Sequence, residues 1–175
     1  MPSQYPVYLI RFKLALSDPD MPSPRYHTLL FVATEPGPEP GPEPGSGSGT
    51  RTGKGYTHEV TGDITSPQGM TYTQTHVQED PSTTESFFSK ELLGHTDAAT
   101  YLAGSWHRVL RNLPRPPQQK AFNRVTMRTE PFKSLEPLVF YRPDEGREVR
   151  RPLWKCTEWT LELAVPALRG VGLIQ

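Results

Sequence analysis

Three side chains have types and positions that could do chemistry together: the thiol of Cys156 and the imidazoles of His27 and His58. Cys156 is the only cysteine in 175 residues. The run Thr157-Glu158-Trp159-Thr160-Leu161-Glu162-Leu163-Ala164 follows it, with a threonine and a glutamate in the first turn, and this reads as a helix start. A thiol in that position faces unpaired backbone N–H groups and the positive end of the helix dipole. Both stabilise a thiolate and lower its pKa. A nucleophilic cysteine also needs a base within hydrogen-bond reach, and the base needs a polar group to fix its tautomer. His27 and His58, on neighbouring strands packed against the helix start, would supply base and orienting group. The opposing reading is a cysteine buried for packing, which is the commoner fate of a lone thiol.

The elements that must position these residues follow from pattern. Tyr5 to Leu16 reads as a first strand and Arg25 to Thr34 as a second, with His27, Leu29, Phe31 and Ala33 on one face. The tract from Glu35 to Gly55 repeats Glu-Pro-Gly-Pro and then runs through Gly-Ser repeats, so it is expected to be a disordered loop joining two neighbouring strands. Tyr56 to Ile64 and Met70 to Gln78 read as two more strands around a Ser-Pro-Gln-Gly turn, while Glu85 to Leu93 fits strand or helix. Asp97 to Leu113 has helical spacing of apolar residues, with Thr96 or Asp97 as cap and Pro114 as stop. Irregular β structure is expected over Arg124 to Tyr141 and a charged loop over Arg142 to Arg151. In the terminal helix, Pro166 marks a kink or an end and Gly170 a terminator. The fold class is therefore α+β: one domain over 1–175, an antiparallel sheet of about five strands and two main helices.

Composition narrows the function classes. Nineteen basic residues balance nineteen acidic ones, so no overall field favours nucleic acid or an anionic membrane. The basic run Arg108, Arg111, Arg115, Lys120, Arg124 and Arg128 reads as a solvated face. One cysteine excludes an intramolecular disulfide framework and a multi-cysteine zinc site. No apolar run is long enough to span a bilayer, and the polar start lacks a signal peptide pattern, which points to a soluble cytoplasmic protein.

Tyr26-His27 followed by Thr28-Leu29-Leu30-Phe31-Val32, then His58 on the next strand, then Cys156 heading a late helix, resembles circularly permuted papain-like thiol enzymes. These belong to the NlpC/P60 superfamily, and the lecithin retinol acyltransferase branch matches in chain order. The resemblance implies a permuted papain-like fold in which the first histidine is the base, a second histidine or polar residue orients it, and the cysteine attacks an acyl carbon. The chain has Lys155-Cys156-Thr157-Glu158-Trp159 where that branch commonly has Asn-Cys-Glu-His-Phe, and it lacks the membrane-anchoring helices of some members. It also resembles a group of small fungal proteins of uncharacterised activity, through His58-Glu59-Val60-Thr61-Gly62-Asp63-Ile64 with Gly69-Met70, Pro116-Pro117 and Cys156-Thr157-Glu158-Trp159.

The expected function is a cysteine-dependent hydrolase or acyltransferase, acting on an amide or ester of a small molecule or peptide through a thioester, without a cofactor. Fungal small-molecule metabolism is the setting that the resemblance implies. His27 would deprotonate Cys156, His58 would orient His27, and helix-start N–H groups would hold the oxyanion. Glu158 and Asp63 are further candidates for an orienting carboxylate, and Trp154 and Trp159 read as packing residues. The alternative is a catalytically inactive papain-like module that binds a peptide or protein partner. A zinc site of His27, His58 and Cys156 is a third arrangement, with no local motif behind it.

Overall fold

The computed structural model describes residues 3–35, 53–146 and 150–175. Five antiparallel strands, β1 (Gln4–Lys13), β2 (Tyr26–Glu35), β3 (Lys54–Gly62), β4 (Met70–Val77) and β5 (Phe87–Asp97), form one sheet in the order β4-β3-β2-β1-β5. The architecture is α+β, as expected. β2 lies at the centre, which explains its unbroken apolar run: a strand covered on both faces needs no alternation. Leu30 and Val32 join the larger core with Trp106, Trp159 and Leu168, while Leu29, Phe31 and Ala33 pack with Ile10 on the opposite face. Trp106 and Trp159 are almost completely buried, and burial of large apolar side chains of this kind stabilises by about 1.5–3 kcal/mol each.

The ambiguous stretch after Glu85 is strand, because β5 finds a full antiparallel partner in β1. β2 and β3 are hydrogen-bonded neighbours, so the repeat tract does join adjacent strands. The expected disordered loop covers 35–55: Glu35 belongs to β2 and Lys54 and Gly55 to β3, where strand pairing takes them, and 36–52 lie outside the described residues. Part of the charged loop, 147–149, lies outside them too. A second, three-stranded sheet of β6 (Lys120–Asn123), β7 (Arg128–Leu135) and β8 (Leu138–Phe140) accounts for the irregular β region.

The expected single helix over Asp97 to Leu113 is two: α1 (Ala98–Leu102) and α2 (Ser105–Arg111), separated by Gly104 at φ 78°. That left-handed turn is open to glycine without steric cost. Asp97 is the cap, its Oδ1 accepting the Thr100 N–H at 2.7 Å. Thr96 instead accepts the indole N–H of Trp106 inside the core.

The terminal helix opens as α3 (Cys156–Glu158), widens into a π-helical segment (Trp159–Ala164) and closes as α4 (Val165–Gly170). The wide turn directly precedes Pro166, and the Val165 N–H reaches back five residues to the Thr160 carbonyl. A π-turn is one way for a helix to continue past a residue that has no N–H to give. The helix ends at Gly170, but the left-handed residue that closes it is Gly172, with the Leu173 N–H donating to the Leu168 carbonyl at 2.8 Å.

Gly69, at φ 66°, packs under the Pro116-Pro117 turn. A Cβ there would meet the Pro116 carbonyl at 2.4 Å. The same carbonyl accepts the Met70 N–H at 2.8 Å, so two separated motifs of the sequence form one contact. Among the described residues no helix is long and apolar enough to cross a membrane.

Candidate active site

The start of β2 and the start of the terminal helix are stitched together by hydroxyls. Thr157 Oγ1 donates to the Tyr26 carbonyl at 2.9 Å, and Thr160 Oγ1 donates to the Thr28 carbonyl at 3.3 Å. The hydroxyls of Thr28 and Thr157 meet at 3.0 Å. Threonines three apart on a helix share a face, and here that face is laid along β2. The result holds Cys156 beside His27, with its sulfur 4.0 Å from the Tyr26 carbonyl and within hydrogen-bonding reach of the His27 ring.

His27 makes a second contact that defines the site. Its Nε2 lies 2.6 Å from Oε2 of Glu59 on β3, and both side chains are largely shielded from solvent. With Nε2–H donated to a carboxylate, Nδ1 is left for the thiol. The ring is also held against Phe12, with centroids 6.2 Å apart. Hydrogen bonds to Cys156 and then to Glu59 outweigh burial and push the imidazole up to about 10. Burial raises the thiol, but its hydrogen bond to His27, the Thr28 backbone and the charges of His27 and Arg25 carry it below the ordinary range. The arrangement is a thiol and an imidazole whose titrations are drawn together, with a carboxylate 2.6 Å behind the ring.

His58 has a different place. Its ring is completely buried on the opposite face of β3, with Nδ1 2.8 Å from the Tyr72 hydroxyl and Nε2 2.8 Å from the Tyr101 hydroxyl. Burial, with a smaller contribution from His107, holds it neutral, down at about 3. The expectation that His58 orients His27 is thereby corrected: both ring nitrogens are engaged elsewhere, and its neighbour Glu59 takes that position. The same placement takes His58 out of the zinc arrangement with His27 and Cys156. Asp63 caps a turn, accepting the Thr65 N–H at 2.8 Å, and does not orient the histidine.

Glu158 braces the cysteine end of the helix. Its two oxygens take a bidentate pair from Arg25 at 2.7 and 2.9 Å, and Oε2 also accepts the Lys155 N–H at 2.8 Å. Arg25 sits two residues before His27, so this pair ties the strand of His27 to the helix of Cys156. Gln119 adds a clamp, its amide giving to the Trp154 carbonyl at 2.8 Å and accepting the Trp154 N–H at 3.0 Å. Lys155 turns from the sulfur to Asp18 at 2.9 Å. Trp159 is a core residue, and Trp154 packs against the same core.

One family model spans residues 7–175. The chain belongs to the family of unknown function DUF6540. No curated protein and no solved structure matches it. In this DUF6540 chain two clefts of about 470 Å³ each lie on residues of this region: one is lined by Glu59, Thr57 and Phe12, the other by Arg25, Glu158 and Leu153.

Sequence reading reached Cys156 and His27 but missed Glu59, Arg25 and Gln119. The signal for Glu59 was the alternation of β3, which sends adjacent residues to opposite faces.

Proposed function

We propose that this protein is a cysteine-dependent hydrolase or acyltransferase acting on an amide or ester through a covalent thioester, on a circularly permuted papain-like plan. The observation that carries the reading is Cys156 at the start of a helix, coupled to His27, whose Nε2 lies 2.6 Å from Glu59. A buried packing cysteine needs neither a basic partner nor a carboxylate behind that partner.

In this reading His27 takes the Cys156 proton, and the thiolate adds to the acyl carbon of the substrate. The carbonyl oxygen becomes an oxyanion that accepts from the backbone N–H groups of Cys156 and Thr157, which have no other acceptor among the described residues. The tetrahedral adduct collapses as the His27 imidazolium gives its proton to the leaving amine or alcohol, and a thioester remains on Cys156. Water or an acceptor nucleophile then attacks the thioester while His27 takes its proton, and the thiolate leaves. Glu59 holds the tautomer and the orientation of the ring. A thiolate that must remain reduced suits the cytoplasm, and small molecules or peptides fit clefts of this size.

The test is intact-mass analysis after exposure to activated esters and thioesters. A single acyl adduct on Cys156, lost in Cys156→Ser and in His27→Ala, is the expected result. If no adduct forms and alkylation of Cys156 is as slow as for an ordinary buried thiol, the inactive binding module becomes the better reading. The nearly closed thiol, with Cys156 only 7% exposed, is the observation on that side.

A further inference from the structure

The cleft behind the Arg25–Glu158 pair has apolar walls, Met21, Pro22, Pro131 and Leu153, and a surplus of positive charge. The surplus follows from pairing. Lys120 lies 2.9 Å from Asp18 and 2.7 Å from Asp20, and Lys155 lies 2.9 Å from Asp18, so two lysines neutralise two aspartates. Arg25 and Glu158 neutralise each other. Two guanidiniums on the cleft wall remain, Arg150 and Arg151.

Arg150 is under-engaged for a partly buried guanidinium. Its nearest carboxylate, Asp20, is 3.6 Å away and already held by Lys120, and its Nε is buried with no hydrogen-bond partner among the described residues. Arg151 uses its backbone N–H on the Tyr141 hydroxyl and has no ion pair among the described residues. A buried donor without an acceptor costs free energy unless something fills the place, and a guanidinium fork is shaped for a carboxylate or phosphate.

We infer that this cleft is an anion-binding subsite of the Cys156 centre, in which Arg150, assisted by Arg151, holds a carboxylate or phosphate of a substrate whose short apolar part lies against Met21, Pro131 and Leu153. Its connection to the reacting atoms runs through neighbours in the chain, since Cys156 and His27 do not themselves line it: Leu153 and Glu158 bracket Cys156, and Arg25 lies two residues before His27. The existence of the anion site is independent of chemistry at the thiol; its role as a substrate subsite rests on the acyl-transfer reading.

The experiment titrates inorganic phosphate and, separately, succinate into the full chain while following the methyl resonances of Met21 and Leu153. Saturable shifts are expected, and the arm that binds more tightly names the anion class. Arg150→Gln should weaken binding roughly tenfold and Arg150→Lys by less, since a lysine keeps charge but loses the fork. Saturating anion should also slow alkylation of Cys156 by iodoacetamide. Absence of shifts in the wild type, or equal affinity in Arg150→Gln, overturns the anion site. Binding through Arg150 that leaves alkylation unchanged overturns its assignment to the Cys156 centre. Should anions bind through Arg150 while Cys156 behaves as an ordinary thiol, the acyl-transfer reading falls and the anion site stands.

Discussion

The carboxylate of Glu59 lies 2.6 Å from Nε2 of His27, one residue along β3 from the histidine that faces the other way into the core. That contact fixes the orientation of the His27 ring, and it separates the two adjacent residues of one strand: Glu59 reaches His27 while His58 is buried in the core.

Glu59→Gln is expected to weaken the thiolate. An opposite charge at this distance shifts a titration by about 1–3 pH units, so the imidazole midpoint in the Cys156 alkylation profile should fall by about one unit. Rates of iodoacetamide reaction from pH 4 to 10 check this. An unchanged midpoint would remove Glu59 from the relay.

The coupled pair also sets a stability window. Below the ordinary imidazole value of 6.5 both groups of the unfolded chain are protonated, while the folded thiol, lowered from its ordinary value, gives up its proton at lower pH than the unfolded one. The unfolded state then binds more protons, and stability rises with pH. Above the ordinary thiol value of 9.0 the unfolded thiol ionises while folded His27 keeps its proton until about 10, so stability falls with rising pH. Urea midpoints should therefore peak between those two values, and His27→Ala should flatten the alkaline side.

His58 belongs to the stability of the core. Tyr101→Phe strips the partner from its Nε2 and should cost about 1–3 kcal/mol in denaturant unfolding, with alkylation of Cys156 unchanged. The folded ring stays neutral down to about 3, so between 6.5 and that value only the unfolded chain takes the proton and the fold loses stability as pH falls. His58→Gln should remove that share of the acid dependence.

Arg25→Ala leaves Glu158 partly buried without its cation. Breaking a shielded bidentate pair of this kind should cost about 2–4 kcal/mol, and because the pair ties helix to strand, alkylation should slow as well. Arg25→Lys should recover part of the stability. Thermal unfolding and alkylation rates on the two variants separate bracing from mere charge.

Much of the frame was legible because it rests on local pattern. The apolar run of β2, the cap at Asp97 and the helix start at Cys156 are each written in a few consecutive residues. The orienting group was not, because it depends on the register between β2 and β3. A short hairpin fixes register through its turn, but these strands are joined across the long repeat tract, and a slip of one residue exchanges the two faces. Leu30 pairs with His58, which puts His58 on the core face with Leu30 and leaves Glu59 on the face of His27. The brace of Arg25 and Glu158 spans 133 residues and had no local sign at all.

The widened turn at Trp159–Ala164 separates the two ends of the last helix mechanically. Its first turn is indexed to β2 by Thr157 and Thr160, and its last by Leu168 in the core. In a regular helix each residue advances the face by about a quarter turn or slightly more, so removing one residue would rotate one anchored end out of phase with the other. The slack turn lets both ends keep their own phase, so a single-residue deletion within it should close it into a regular turn with Cys156 still beside His27, whereas a deletion in the regular turns on either side would swing the sulfur away.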